Sequence, residues 1–219
     1  MDNPYGVNRN QQNDFFNSGV NYANFVGLTS RSEKTGIYAS FENNSQQGVI
    51  SMTDGYKRQN FRFNVDQQIA PWLKFSTSNL LINTTTNYPG SGGGIFFNVA
   101  LAEPDGNFLA NNPDGQPYYL RFNHWSGETV NPLYTLYKTE RDNKKFNWIG
   151  KFALNTRIAP WINLDLSHSI EKGNYRYRNY SPKDTWTPTG GTPATMGMSY
   201  TNGNLNDRSD ESNSQNTQA

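Results

Sequence analysis

The chain has 219 residues, with 19 Lys+Arg against 18 Asp+Glu and a formal net charge of +1, which leaves no electrostatic footprint for a nucleic-acid partner or a strongly acidic substrate. It contains no cysteine, so disulfides, thiol catalysis and Cys-based zinc sites are excluded together. Mean hydropathy is −0.84, yet 13 Tyr, 13 Phe and 5 Trp are far more aromatic surface than a disordered chain carries.

No run approaches the roughly 18 apolar residues of a membrane helix; the most apolar stretch, Ile95–Ala102, is interrupted by Asn98. The stretch Met1–Phe16 has no apolar signal core, so no export signal is expected within this chain. What recurs instead is alternation at period two, the signature of strands with one apolar and one polar face.

In chain order, Val20–Ser30 alternates weakly through Val20, Tyr22, Val26 and Leu28. Thr35–Glu42 sets Ile37, Ala39 and Phe41 against Tyr38, Ser40 and Glu42. In Tyr56–Ala70, Phe61, Phe63, Val65 and Ile69 oppose Arg62, Asn64, Asp66 and Gln68. Leu73–Thr84 is apolar at Leu73, Phe75 and Leu81, but Leu80 and Ile82 break the phase, which suggests a bulge. Phe146–Ala159 and Trp161–Glu171 alternate cleanly. These are about six strands in three hairpins, with a leading loop over 1–19, strands over 20–175 and a loop or disordered tail over 176–219.

Ile69-Ala70-Pro71-Trp72 recurs as Ile158-Ala159-Pro160-Trp161, each copy joining two alternating segments at a tight turn, where proline presets φ and needs no ladder donor. Short turns at 30–34, 71–72 and 160–161 alternate with long connections at 43–55, 83–143 and beyond 173. Antiparallel neighbours then carry short turns at one end and long loops at the other, the arrangement of a transmembrane barrel with apolar residues outward and polar residues inward.

Several segments resemble one family. Asp2-Asn-Pro-Tyr with Asp14-Phe-Phe-Asn-Ser-Gly, then Ser32-Glu-Lys-Thr-Gly-Ile-Tyr-Ala-Ser-Phe, Gly48-Val-Ile and Tyr56-Lys-Arg-Gln-Asn-Phe-Arg-Phe-Asn-Val-Asp are similar to the barrel of SusC/RagA-type TonB-dependent transporters, outer-membrane proteins of Bacteroidetes. Asn112-Pro-Asp-Gly-Gln-Pro, Asn131-Pro-Leu-Tyr and Tyr180-Ser-Pro-Lys resemble family loop segments in the same order. The resemblance implies an all-β, antiparallel up-and-down barrel of about 22 strands with a plug. It also implies import of oligosaccharides, glycans or peptides, energised by the TonB complex, with a SusD-like lipoprotein as lid. A plug, a TonB box and most of such a barrel have no counterpart here, so an internal fragment or a truncated reading frame is expected.

Candidate residues follow from these faces and loops. Tyr118, Tyr119, Phe122, Trp125 and Trp186 lie in the long loops, where aromatic faces stack on sugar rings or pack the loop on itself. Arg62, Asp66, Lys151 and Arg157 fall on the polar strand face and would line a lumen. Trp72 and Trp161 suit the boundary with outer-membrane lipid, as do the tyrosines of Tyr175–Tyr180. Asp105 and Asp114 lie in Pro-Asp-Gly turns without the spacing of a calcium loop. His124 and His168 lack metal-ligand spacing. No catalytic constellation emerges, so neither an enzyme nor a cofactor is expected. The rival reading is a soluble or secreted β-sandwich carbohydrate-binding module, whose alternation would come from packing on a second sheet.

Overall fold

Strands that alternate with one apolar face must keep that face in common with their neighbours, and this chain does so in an up-and-down sheet. The structure, a computed structural model, describes residues 6–89, 92–120, 130–189 and 197–219. Its strands are β1 (Asn21–Arg31), β2 (Thr35–Gln46), β3 (Gly55–Ala70), β4 (Leu73–Asn87), β5 (Glu140–Ala159), β6 (Ile162–Ser181), β7 (Trp186–Thr189), β8 (Gly197–Tyr200) and β9 (Asn204–Gln218). Seven of them form one antiparallel sheet in the order β1-β2-β3-β4-β5-β6-β9, and β7 with β8 makes a separate hairpin. The fold is all-β and up-and-down, with one strand more in the sheet than the alternation alone reveals.

Register carries the two faces across the sheet. Val26, Phe41, Phe61, Leu81 and Trp148 stand directly opposite one another in successive strands. Phe75, Leu154 and Leu166 make a parallel row nearer the short turns. Asn79 intrudes on this face, and its Oδ1 accepts a hydrogen bond from the Trp148 indole Nε1 at 3.1 Å, so each polar group satisfies the other. The opposite face is laced by cross-strand hydrogen bonds: Ser76 Oγ to Asp66 at 2.6 Å, Ser78 Oγ to Asn64 at 2.8 Å and Asn60 Nδ2 to Glu42 at 2.9 Å. Such pairs are the unit of sheet stabilisation.

Leu80 and Ile82 require a correction. The pairing of β4 with β3 runs unbroken from Lys74 to Asn87, so no bulge lies there. Both side chains stay on the polar face, with Ile149 opposite Leu80. The bulges fall instead between Gln68 and Ala70 and between Arg157 and Ala159, at Ile69 and Ile158. Proline at the first turn position excludes the positive φ of the hairpin turns that match strand twist; the extra residue beside it restores twist. In each copy the residue before the bulge also ties the turns together. Gln68 N donates to Lys34 O at 2.7 Å and Arg157 N donates to Trp72 O at 2.8 Å. Each turn therefore sits beside the next hairpin three residues before that hairpin's own proline. This stagger is how tilted strands of a barrel wall are arranged.

On the apolar face the run of apolar side chains extends from the turn up to Phe146 in β5 and to Ile170 in β6. Above Phe146 on the same face come Lys144 and Asp142; above Ile170 come Lys172, Asn174 and Arg176. β9 pairs only with Ser167–Ser181, so it joins mostly the polar half. Leu205 is the one large apolar residue in its sequence, and its residues are exposed throughout. Arg176 donates to both oxygens of Asp207, at 2.9 and 2.5 Å, and so pins β9 to β6.

Buried apolar residues sit elsewhere. Among the described residues, Phe15, Ile95, Val99, Phe108, Leu120, Leu133 and Tyr134 are buried, and all lie in the connections at the loop end. They come from α1 (Gln11–Phe15), α2 (Gly92–Ala100), α3 (Pro132–Lys138) and the coil between. Most of the apolar stretch Ile95–Ala102 falls in α2, and Ile95 and Val99 anchor it in this core.

Gly55, where the chain re-enters the sheet, has φ +74°, and a Cβ there would lie 2.1 Å from the Gln46 carbonyl oxygen. Gly115 has φ +81° with nothing within 4 Å of such a Cβ. Gly115→Ala is therefore expected to cost only the backbone term, about 1 kcal/mol, and Gly55→Ala roughly 3 kcal/mol. Thermal unfolding of the protein, compared between the two variants, checks the ordering.

Candidate functional site

Two surfaces carry the polar chemistry: the polar face of the sheet and the loop cap above it. Arg62, Asp66, Lys151 and Arg157 all lie on the polar face and are exposed. They do not converge. Asp66 meets Lys74 at 3.4 Å and accepts from Ser76. Arg157 reaches down to Pro160 O at 3.3 Å and caps its own turn. Arg62 and Glu171 bracket Leu80 and Ile149 in one row, so an apolar strip interrupts the polar wall.

The loop cap is held by two buried amides that sequence reading passes over. Asn131 is fully buried; its Nδ2 donates to Phe108 O at 2.8 Å and to Tyr119 O at 3.0 Å, and its Oδ1 accepts from Leu133 N at 3.0 Å. This caps α3, with Pro132 following at the first helical turn. Asn112 does the same for the Pro-Asp-Gly turn: its Nδ2 faces the carbonyls of Gln116, Pro117 and Tyr118 at 3.1 to 3.2 Å, and its Oδ1 accepts from Leu120 N at 3.0 Å. Asp114 accepts from Gln116 N at 2.9 Å, a local turn bond. No group of three or more His, Asp or Glu able to hold a metal occurs among the described residues.

Of the loop aromatics, Tyr118 and Tyr119 are half-buried. Tyr118 packs against the loop core and edge-on to Tyr137, with ring centroids 5.7 Å apart. Phe122 and Trp125 lie outside the described residues, as does His124. The backbone of Trp186 opens β7 and pairs with Tyr200. At the other end Trp72 and Trp161 occupy the turns, the latter 81% exposed. His168 stands on the apolar face opposite Phe152, its Nδ1 2.8 Å from Thr217 Oγ1.

Tyr175 and Tyr177 occupy a different place from the lipid boundary expected of them. Register sets them on the polar face, opposite Lys145 and Asn143, while Arg176, Arg178 and Tyr180 take the other face. Just past β4, Tyr88 lies beside Tyr177 and Asn143, and burial pushes its phenol above the ordinary tyrosine range. A tyrosine cluster thus crowns the polar face beneath the loops. Alternation could have revealed it, because Gly173, Tyr175 and Tyr177 continue the phase of Ser169 and Glu171.

No family model and no curated protein matches the chain. Among solved structures, it is similar to a chain of the RagAB peptide importer in its "closed-closed" state, with a TM-score of 0.62 and 16% identity over 86% of this chain and 21% of that one. The likeness is one of fold. This chain spans about a fifth of the length of that relative. No helix among the described residues is long and apolar enough to cross a membrane, a fact that leaves strands free to do so.

Asn131→Ala leaves the carbonyls of Phe108 and Tyr119 without their donor. We expect a loss of about 2–3 kcal/mol confined to the cap. Limited proteolysis of the intact protein should cut the 88–139 connection sooner, with the sheet's circular dichroism unchanged.

Proposed function

We propose that this chain is a stretch of barrel wall, with its external loops, from an outer-membrane importer of the SusC/RagA type. The observation that carries this reading is the uncovered apolar face. Val26, Leu28, Phe41, Phe61 and Phe63 are all exposed, Val26 to 70%, in register across three strands. In water such a contiguous patch drives association; in a bilayer it is the surface that lipid requires. A soluble sandwich needs a second sheet over this face, and the only other sheet among the described residues is the two-stranded β7–β8 hairpin.

The remaining features support the same reading. A strand crosses a bilayer with about 9–11 tilted residues, and β5 and β6 each have 20, so their polar halves would stand outside the membrane. Short staggered turns would then face the periplasm, with Trp72 and Trp161 at the interface. The packed loops would face outward. The open edges at β1 and β9 would be closed by neighbouring strands of the whole barrel. In this reading the polar face lines the lumen, the substrate is a glycan, oligosaccharide or peptide, and a SusD-like lipoprotein and the TonB complex act on the whole transporter. The chain does no catalysis of its own.

Reconstitution of the intact protein into bilayers tests this. Trp72→Phe and Trp161→Phe should each remove a fluorescence component that lipid brominated near the headgroup quenches strongly. If that component is quenched by aqueous iodide and untouched by bromolipid, the turns are in water and the barrel reading fails.

A further inference from the structure

The polar face has a hollow near its upper end, and register explains it. Two rows cross there: Lys145, Tyr175 and Asp210 stand opposite one another, and next to them Asn147, Gly173 and Ser212 do the same. Five of these six positions carry side chains and the central one is glycine. The gap is a pocket of about 370 Å³ lined by these residues together with Asn174 and Glu211, within the size range of roughly 300–1,000 Å³ typical of small-molecule sites. Glycine inside a strand weakens it and commonly marks a close approach by another group. Here φ of Gly173 is not in the left-handed region, so backbone conformation does not demand glycine.

The lining has a definite chemistry. Lys145 and Asp210 oppose each other in charge, and Asp210 is further tied to Arg208 at 2.8 Å. Asn147 and Ser212 add a neutral amide and a hydroxyl. Tyr175 supplies an aromatic wall, backed by the Tyr88–Tyr177 cluster. An anion would meet the carboxylates of Asp210 and Glu211 and a cation the ammonium of Lys145, whereas a neutral ring bearing hydroxyls finds donors and acceptors on several sides and a face to stack on. An apolar peptide side chain is better served lower on the same face, by Leu80, Ile82 and Ile149. Resting on the importer reading above, we propose that the Gly173-centred hollow is a binding site for one neutral sugar ring of an oligosaccharide passing along the polar face.

Gly173→Val tests this directly. A Cβ at Gly173 would come 2.5 Å from Ser212 Oγ and 3.1 Å from Asn147 Oδ1, and both atoms end short side chains that can rotate away, so the variant fills the hollow without opposing the strand. Tyr175→Ala removes the stacking wall instead. The detergent-solubilised intact protein, as wild type and both variants, is presented with an array of neutral oligosaccharides and an array of short peptides. Wild type should retain neutral oligosaccharides, and each variant should bind them about tenfold more weakly, the scale of one lost contact, with an unchanged unfolding temperature. Retention by both variants at wild-type affinity, or retention of peptides alone, overturns the proposal.

Uptake separates this from the parent reading. If deleting the whole gene abolishes nutrient uptake while Gly173→Val and Tyr175→Ala cells import normally, the pocket assignment is wrong and the importer reading stands. If deletion changes no uptake, the importer reading itself is wrong, and the pocket assignment falls with it.

Discussion

A β-sheet must keep one apolar face away from water, and in this chain nothing within the described residues covers that face. Phe61, Phe63, Trp148 and their row neighbours share one face of the sheet, while the buried apolar side chains among the described residues all lie at the loop end. The ordinary logic of a soluble domain, in which strands bury their apolar side chains against a second layer, is inverted. What burial there is holds the loop end together, through Phe15, Ile95, Val99, Phe108 and Leu133. In the proposed reading a bilayer supplies the apolar surrounding that this face needs.

That requirement orders the other features. Staggered turns follow from strand tilt, and the repeated Ile-Ala-Pro-Trp segment is the device that builds each one: a bulged isoleucine, a two-residue turn fixed by proline, and a preceding Gln68 or Arg157 whose backbone N–H bonds the neighbouring turn. Long strands let the sheet rise beyond its apolar zone, so the loops with their small core stand clear of it. Asn112 and Asn131 satisfy the cap's backbone carbonyls where water is excluded, which is what a packed loop needs to hold a shape.

Much of this was legible in the residues, for a physical reason. Where a strand has one face toward an apolar medium, its side chains alternate in polarity, and β1 to β6 announce themselves that way. β9 has polar residues on both faces because it pairs with the part of β6 that has left the apolar zone, and a polar strand is indistinguishable by composition from a disordered tail. The phase at Leu80 and Ile82 misled for the opposite reason: two apolar residues on the polar face imitate a bulge, and only the unbroken pairing with β3 shows that they form a strip with Ile149. The lumen candidates Arg62, Asp66, Lys151 and Arg157 do share a face, but alternation reports faces and not convergence, so it could not show that they stand apart. Gly173 was visible as a glycine within a strand; what surrounds it depends on the β6–β9 register, which sequence alone does not give.

The central claim is that the face of Phe61, Phe63 and Val65 meets lipid while that of Arg62, Asn64 and Asp66 meets water. The most direct measurement places single nitroxide spin labels at each position from 61 to 66 of the intact protein in bilayers and compares collision with lipid-soluble oxygen against collision with a water-soluble nickel chelate. The account predicts that oxygen accessibility peaks at 61, 63 and 65, nickel accessibility peaks at 62, 64 and 66, and the two profiles are out of phase at period two. Accessibility to nickel at all six positions, or oscillation of the two reagents in phase, would contradict it.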